Sequence, residues 1–141
     1  MRGATFFHEP LDHSQQQIRL VSIQPASDGP IVCTVKLITL DRFRTPDYRA
    51  LSYVWGPPTP TCKIQVNNQP FHVRQNLFDF LLAFRKRLHT FRGCDQYVDE
   101  VQWLWIDQIC IAQAVVHERN HQVKMMSEIY TWATYVYIWL G

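Results

Sequence analysis

Trp103, Leu104, Trp105 and Ile106 run straight into Asp107, and no other stretch restricts the fold as strongly. Four bulky apolar side chains in succession need burial on both faces, which is how an interior strand of a parallel sheet reads. The carboxylate that ends the run must lie where donors or water reach it, because a bare charge is costly to bury. Asp107 therefore belongs at a strand end. There it either caps a turn and satisfies buried backbone donors or faces a ligand, and both readings stand.

The chain has 141 residues, 47% apolar and 18% charged, a size and balance that suit one folded domain and not a disordered segment. Residues 1–17 read as a flexible polar lead-in, and 18–141 as the domain. The net charge of +2 asks for no polyanion, so no nucleic-acid partner is expected. No apolar run approaches the ~18 residues of a membrane helix. Phe6-Phe7 is followed at once by His8, Glu9 and Pro10, so no signal-peptide core forms, and a cytoplasmic protein without membrane attachment is expected. Cys33, Cys62, Cys94 and Cys110 make no CxxC pair and read as reduced thiols, not a disulfide frame or structural zinc site.

Along the chain, residues 18–24 and 31–40 predict neighbouring antiparallel strands joined by turn chemistry at Ser27-Asp28-Gly29. Residues 49–55 predict a third strand, stopped by Gly56-Pro57-Pro58. Residues 63–66 and 71–73 predict a small hairpin through Asn67-Asn68-Gln69-Pro70. Asn76 reads as an N-cap with Asp79 in the first turn of a helix, whose apolar face is Leu77, Phe78, Leu81, Leu82, Phe84 and Leu88. Arg85-Lys86-Arg87 closes it as dipole compensation. A polar connection over 89–102, containing Gly93, leads to the strand at 103–106. A second helix over 118–133 turns Val123, Met126, Ile129, Tyr130 and Ala133 inward, and 135–140 is a last strand. Strand, helix, strand, helix, strand predicts an α/β fold: a mixed, mainly parallel sheet with flanking helices, plus N-terminal antiparallel strands and a small hairpin. Strands ending at Trp55, Asp107 and Leu140 would set their C-terminal edges side by side, where open α/β sheets bind ligands. That rim holds Trp55, Gly56, Asp107 and Cys110, with Glu118 nearby at a helix start.

Several chemistries compete. His117-Glu118-Arg119-Asn120-His121 spells H-E-x-x-H, the spacing of a zinc peptidase helix, but no third ligand beyond Glu128 follows, and no metal is expected. Cys110, His117 and Asp107 contain the parts of a nucleophile set, yet they crowd one turn, and a thiol between Ile109 and Ile111 reads as buried and inert. The five glycines form no phosphate loop. Trp103, Trp105, Trp132 and Trp139 read as core. Arg119 can pair bidentately with Asp107, bracing strand to helix, or with a ligand phosphate.

Four blocks stand in order: YRALSYVWG at 48–56, LWIDQICIAQ at 104–113, ERNHQVKMMSEIY at 118–130 and VYIWLG at 136–141. Together they closely resemble the fungal heterokaryon incompatibility (HET) domain, whose pattern runs Y-x-A-L-S-Y-x-W-G, L-W-I-D-x-x-C-I-N-Q, E-R-x-x-Q-V-x-x-M-x-x-I-Y and V-x-x-W-L-G. The likeness covers 18–141. It implies a domain that triggers programmed cell death in fungal non-self recognition, and a TIR- or flavodoxin-like core. Some TIR domains cleave NAD, whereas others only assemble signalling complexes. Two mechanisms follow from the resemblance. In one, Glu118 or Asp107 is the catalytic acid and NAD the substrate, bound by Ser52, Tyr53, Trp55, Gly56, Cys110, Gln113 and Arg119. In the other, the domain acts by self-association or with other death-signalling proteins, and the helix face around Met125 and Met126 is the contact surface. Ala112 departs from the pattern where Asn is usual, which weakens a ligand site if that carboxamide touches one and loses little if it only closes a turn. Family members commonly continue past W-L-G, so a piece of a longer protein is expected.

Overall fold

The computed structural model describes residues 5–41, 45–90 and 101–141. Gly93, Cys94 and most of the polar connection lie outside the described residues. Seven strands and three helices are described: β1 (Gln17–Ile23), β2 (Val32–Thr39), β3 (Tyr48–Tyr53), β4 (Thr61–Val66), β5 (Gln69–Arg74), α1 (Gln75–Thr90), β6 (Trp103–Trp105), α2 (Asp107–Cys110), α3 (Val116–Trp132) and β7 (Tyr135–Trp139). The strands form one mixed sheet in the order β5-β4-β2-β1-β6-β3-β7. The predicted antiparallel pair is there, β1 on β2 from Gln17 opposite Thr39 to Ile23 opposite Cys33. The predicted parallel block is there too, with β3 between β6 and β7. This is the α/β class that the sequence predicts.

β4 and β5 close through Asn67-Asn68 alone, both at positive φ (49° and 66°), the geometry of a type I′ turn that Asn tolerates. Gln69 and Pro70, read as turn residues, are the first two of β5, where an outer strand accepts a proline. Leu104, Trp105 and Ile106 are fully buried, as the unbroken apolar run requires. Trp103 and Trp139 are half-buried against the core, whereas Trp132 is 40% exposed and departs from the core reading.

The helix ends and faces differ from expectation in informative ways. α1 begins at Gln75, so Asn76 lies inside it and does not cap. Its side-chain amide donates to the Val54 carbonyl at 2.5 Å, and its Oδ1 accepts from Trp139 Nε1 at 3.1 Å, tying helix, β3 end and β7 together. Asp79 lies past the first turn and accepts from Gln75. The inward face is Leu77, Phe80, Leu81, Phe84 and Arg85, with Leu82 exposed. Arg85 is the surprise. It is 7% exposed, and its Nη1 reaches the carbonyls of Asp28, Gly29 and Pro30 at 3.3, 2.7 and 3.1 Å, which staples the β1–β2 loop instead of compensating a dipole. α3 buries Glu118, Gln122, Met125 and Ile129, a stripe at i, i+4, i+7 and i+11. Of the expected face, Ile129 belongs to this stripe, Met126, Tyr130 and Ala133 pack partly buried against the core, and Val123 alone is exposed. Two polar residues in the stripe hid it from hydrophobic periodicity. Met125 is buried, and Met126 is partly buried against the core.

Residues 5–12 lie against the sheet. Phe6 N donates to Pro70 O at 3.0 Å, its ring meets Phe71 edge-on, and Leu11 is buried. Among the described residues no helix is long and apolar enough to cross a membrane.

Charged donors to carbonyls are worth about 1.5–3 kcal/mol. Arg85→Ala is therefore expected to lower the urea-unfolding free energy by about 2 kcal/mol. Lys86→Ala and Arg87→Ala, at exposed neighbours, stay within about 0.5 kcal/mol of the parent. Three equal losses would sink the staple.

Candidate functional site

At the C-terminal ends of the parallel strands, the chain leaves β6 at Trp105 and turns into α2 at Asp107. Asp107 Oδ1 accepts from Tyr53 OH and from the Gln108 N–H, both at 2.8 Å, and Oδ2 accepts from Trp55 Nε1 at 2.9 Å. Gln108 donates to Tyr53 OH at 3.0 Å and accepts from the Arg74 N–H at 2.7 Å. Arg74 in turn donates to Gly56 O at 2.7 Å, and its guanidinium lies 4.8 Å from the Trp55 ring centre. Gly56 has φ +74°, a conformation that costs other residues and that turns the chain away just after Trp55. Gln113 Nε2 donates to the Asp107 carbonyl at 2.9 Å. The Tyr53 hydroxyl is pushed far up, first by burial and then by the Asp107 charge, so it stays a donor. The rim predicted from Trp55, Gly56 and Asp107 is thus assembled, with Tyr53 and Gln113 in it. Arg74 and Gln108 were missed, since neither stands in an apolar pattern that would mark it.

Three expected members lie elsewhere. Cys110 is fully buried, takes the Ile106 N–H at 3.5 Å, and has its thiol pushed up by burial to about 12, so it faces the core and not a ligand. Ser52 is exposed, and strand alternation puts it on the opposite sheet face from Tyr53. Arg119 is exposed, and among the described residues its side chain reaches only Gln113 O, at 3.5 Å. It does not pair with Asp107.

The buried pair joins other residues. Arg19, from the middle of β1, and Glu118, from the first turn of α3, are 1% and 2% exposed. Arg19 Nη1 and Nη2 donate to Glu118 Oε2 and Oε1 at 2.8 and 2.6 Å. Arg19 also donates to the carbonyls of Cys110 at 3.0 Å and Glu9 at 2.5 Å, and Glu118 Oε2 accepts the Ala112 N–H. Burial raises the Glu118 pKa, but the Arg19 and Ala112 hydrogen bonds and the Arg19 charge outweigh it, and the carboxyl settles below the usual range. His8 Nε2 bonds Ile109 O at 2.7 Å beside this pair, and burial lowers its pKa. The H-E-x-x-H glutamate is therefore committed to Arg19. His121 stacks on His13 with ring centres 4.9 Å apart, and His117 is exposed. Among the described residues no three His, Cys, Asp or Glu side chains gather as a metal set. Ala112 lines a cavity of about 320 Å³ with Phe6, Phe71, Gln108 and Gln113, and its carbonyl accepts the Val115 N–H at 3.0 Å across a turn.

The family model described as Heterokaryon incompatibility protein (HET) matches residues 48–141. The chain belongs to the HET family. It is also 35% identical to Heterokaryon incompatibility protein 6, OR allele, of Neurospora crassa, over 93% of this chain and 20% of that protein. The HET chain thus spans about a fifth of the length of that curated relative. No solved structure matches it. The four HET blocks are contiguous in space: the first is β3 with its glycine turn, the second β6 and α2, the third α3, and the fourth β7. Glu118, which opens the third block, is held by Arg19, which precedes the matched region.

Glu118→Gln removes one charge of the buried pair and should cost about 3–5 kcal/mol. Glu118 titrates lower in the fold than free, so its contribution is full at neutral pH and is lost as the pH falls below the ordinary value of 4.5. Across that acid window the parent's urea-unfolding free energy should fall more steeply than the variant's. Equal slopes would show that Glu118 does not titrate with folding.

Proposed function

We propose that this HET domain relays cell death in fungal non-self recognition, and that it does so by assembly and not by cleaving NAD. The supporting observation is that both candidate acids are already occupied. Glu118 gives its oxygens to Arg19 and Ala112. Asp107 accepts three hydrogen bonds from its own neighbours. A carboxylate that must steady an oxocarbenium-like ribose needs an oxygen aimed at substrate, and a buried ion pair breaks only at a cost of several kcal/mol. The residues that build the domain's frame are the same ones that the enzymatic reading would spend on chemistry.

One arrangement favours the enzymatic reading. Asp107 stands at the C-terminal rim of three parallel strands beside an indole and a phenol, the usual place for a ligand in an open α/β sheet. The two are separated by incubating the purified chain with NAD and following nicotinamide. No release above buffer is expected, and Asp107→Asn, when folded, should kill a fungal host as the parent does at matched protein level. Stoichiometric nicotinamide that disappears in folded Asp107→Asn would replace assembly with catalysis.

A further inference from the structure

Residues 5–13 are tied to the helices by two histidines. His8 Nε2 bonds the Ile109 carbonyl in α2 at 2.7 Å, and the His13 ring stacks on His121 of α3, with centres 4.9 Å apart and planes 12° from parallel. Because a carbonyl only accepts, His8 Nε2 carries the hydrogen, and an added proton goes to Nδ1 of the same ring. That ring is half-buried, edge-on to Phe6 and Phe71 at 4.8 and 5.9 Å. His121 Nδ1 is buried with no hydrogen-bond partner among the described residues. Charging that ring leaves an N–H without an acceptor, and charging both stacked rings sets like charges face to face.

We propose that residues 5–13 form an acid-released strap, docked on α2 and α3 while its histidine contacts are neutral and lifted as those rings take up protons. This regulation is separate from the choice between assembly and catalysis. The charged groups that reach His8 are Arg19 of β1 and Glu118 of α3, one of each sign and spent on each other. Glu9, next to His8 on the strap, is exposed, and β5 and α2 present Phe71 and a carbonyl, neither of which titrates. Beside His13, Asp12 gives its carboxylate to Ser14 and Gln15 at distances between 2.6 and 3.2 Å. His117 and Lys124, one turn either side of His121, bring no negative charge. None of these is a buried carboxylate free to receive the new charges. Burial and the Arg19 charge lower the His8 pKa from its ordinary 6.5, against the Ile109 bond and the Glu118 charge. The lifted strap therefore binds more protons than the docked one. Docking is at full strength above 6.5 and weakens as the pH falls below that value, by at most about tenfold per pH unit for each proton taken up. Glu118 titrates below 4.5, outside this window. Phe6 on Phe71 and the buried Leu11 hold the strap at any pH, so the histidines set its sensitivity and not its whole strength. Phe6, His8 and Gln108 share the 320 Å³ cavity, and Gln108 also holds the Tyr53 hydroxyl. Acid is thus read at the strap and passed toward the rim.

The test is hydrogen exchange of the chain, corrected for intrinsic rates, at about pH 7.5 and about pH 5.5, a unit either side of the free histidine value. The Phe6 amide, which donates to Pro70 O, should exchange roughly tenfold faster at the lower pH. Leu20, fully buried in β1, should hold its rate, which separates lifting from unfolding. In a folded chain carrying both His8→Gln and His13→Phe, the carboxamide still reaches Ile109 O and the ring still stacks, so the Phe6 rate should be equal at the two pH values. A parent without the pH response, or a folded double variant that responds as the parent does, overturns the strap. If the double variant loses the strap at both pH values, the parent's His8 ring decides. Its NMR titration should have a midpoint below 6.5, and a midpoint at or above that value overturns the proposal.

Discussion

The Arg19–Glu118 pair is the joint on which the other elements lean. It starts in the middle of the sheet, on β1, and ends in the first turn of α3, and on the way Arg19 holds the carbonyls of Glu9 and Cys110. A pair buried this deeply gains little net stability over an apolar one, but losing either member leaves an uncompensated charge. What it supplies is placement. α2 has only four residues and cannot hold its own direction by packing alone. Its last carbonyl is fixed by Arg19 and its following N–H at Ala112 by Glu118, so Asp107, at its other end, is aimed by an ion pair that it never touches.

At the rim, three segments far apart in sequence share one hydrogen-bond chain, running from Arg74 through Gln108 and Tyr53 to Asp107 and Trp55. Each donor of that chain has an acceptor, which fixes the orientations of the indole and phenol rings. The rim is also where the first two HET blocks meet. A family signature can mark such a rim as well as a catalytic centre, because both demand particular side chains at particular places.

The strands and the parallel block were legible because β-branched and aromatic runs, bounded by Gly, Pro and Asn, speak directly of sheet. Asp107 was legible for a related reason, as a charge that a buried strand could not absorb. The rest was hidden by polar residues doing apolar residues' work. Arg19 sits inside an ordinary strand pattern, and nothing local says that its partner lies 99 positions on. Gln122 and Glu118 broke the α3 stripe, and Arg85 hid within a basic triplet whose other two members are solvated. Cys110 looked like part of the rim because it is near Asp107 in sequence, but one helical turn was enough to point it the other way. Asn76 read as a cap because caps are its commonest use, and here it bridges three elements instead.

The order of strands in the sheet bears on how the chain reaches this state. β1 and β2, and β4 and β5, are neighbours both in sequence and in space, so each pair closes a short loop. β3 must instead find β6, about fifty residues later, and then β7, and such pairings fix chain entropy before their contacts repay it. The HET blocks lie almost wholly in this distant set. Until the last of them docks, Trp105, fully buried in the finished fold, stays unsheltered, so that closing stage is also the one most open to misassembly between chains.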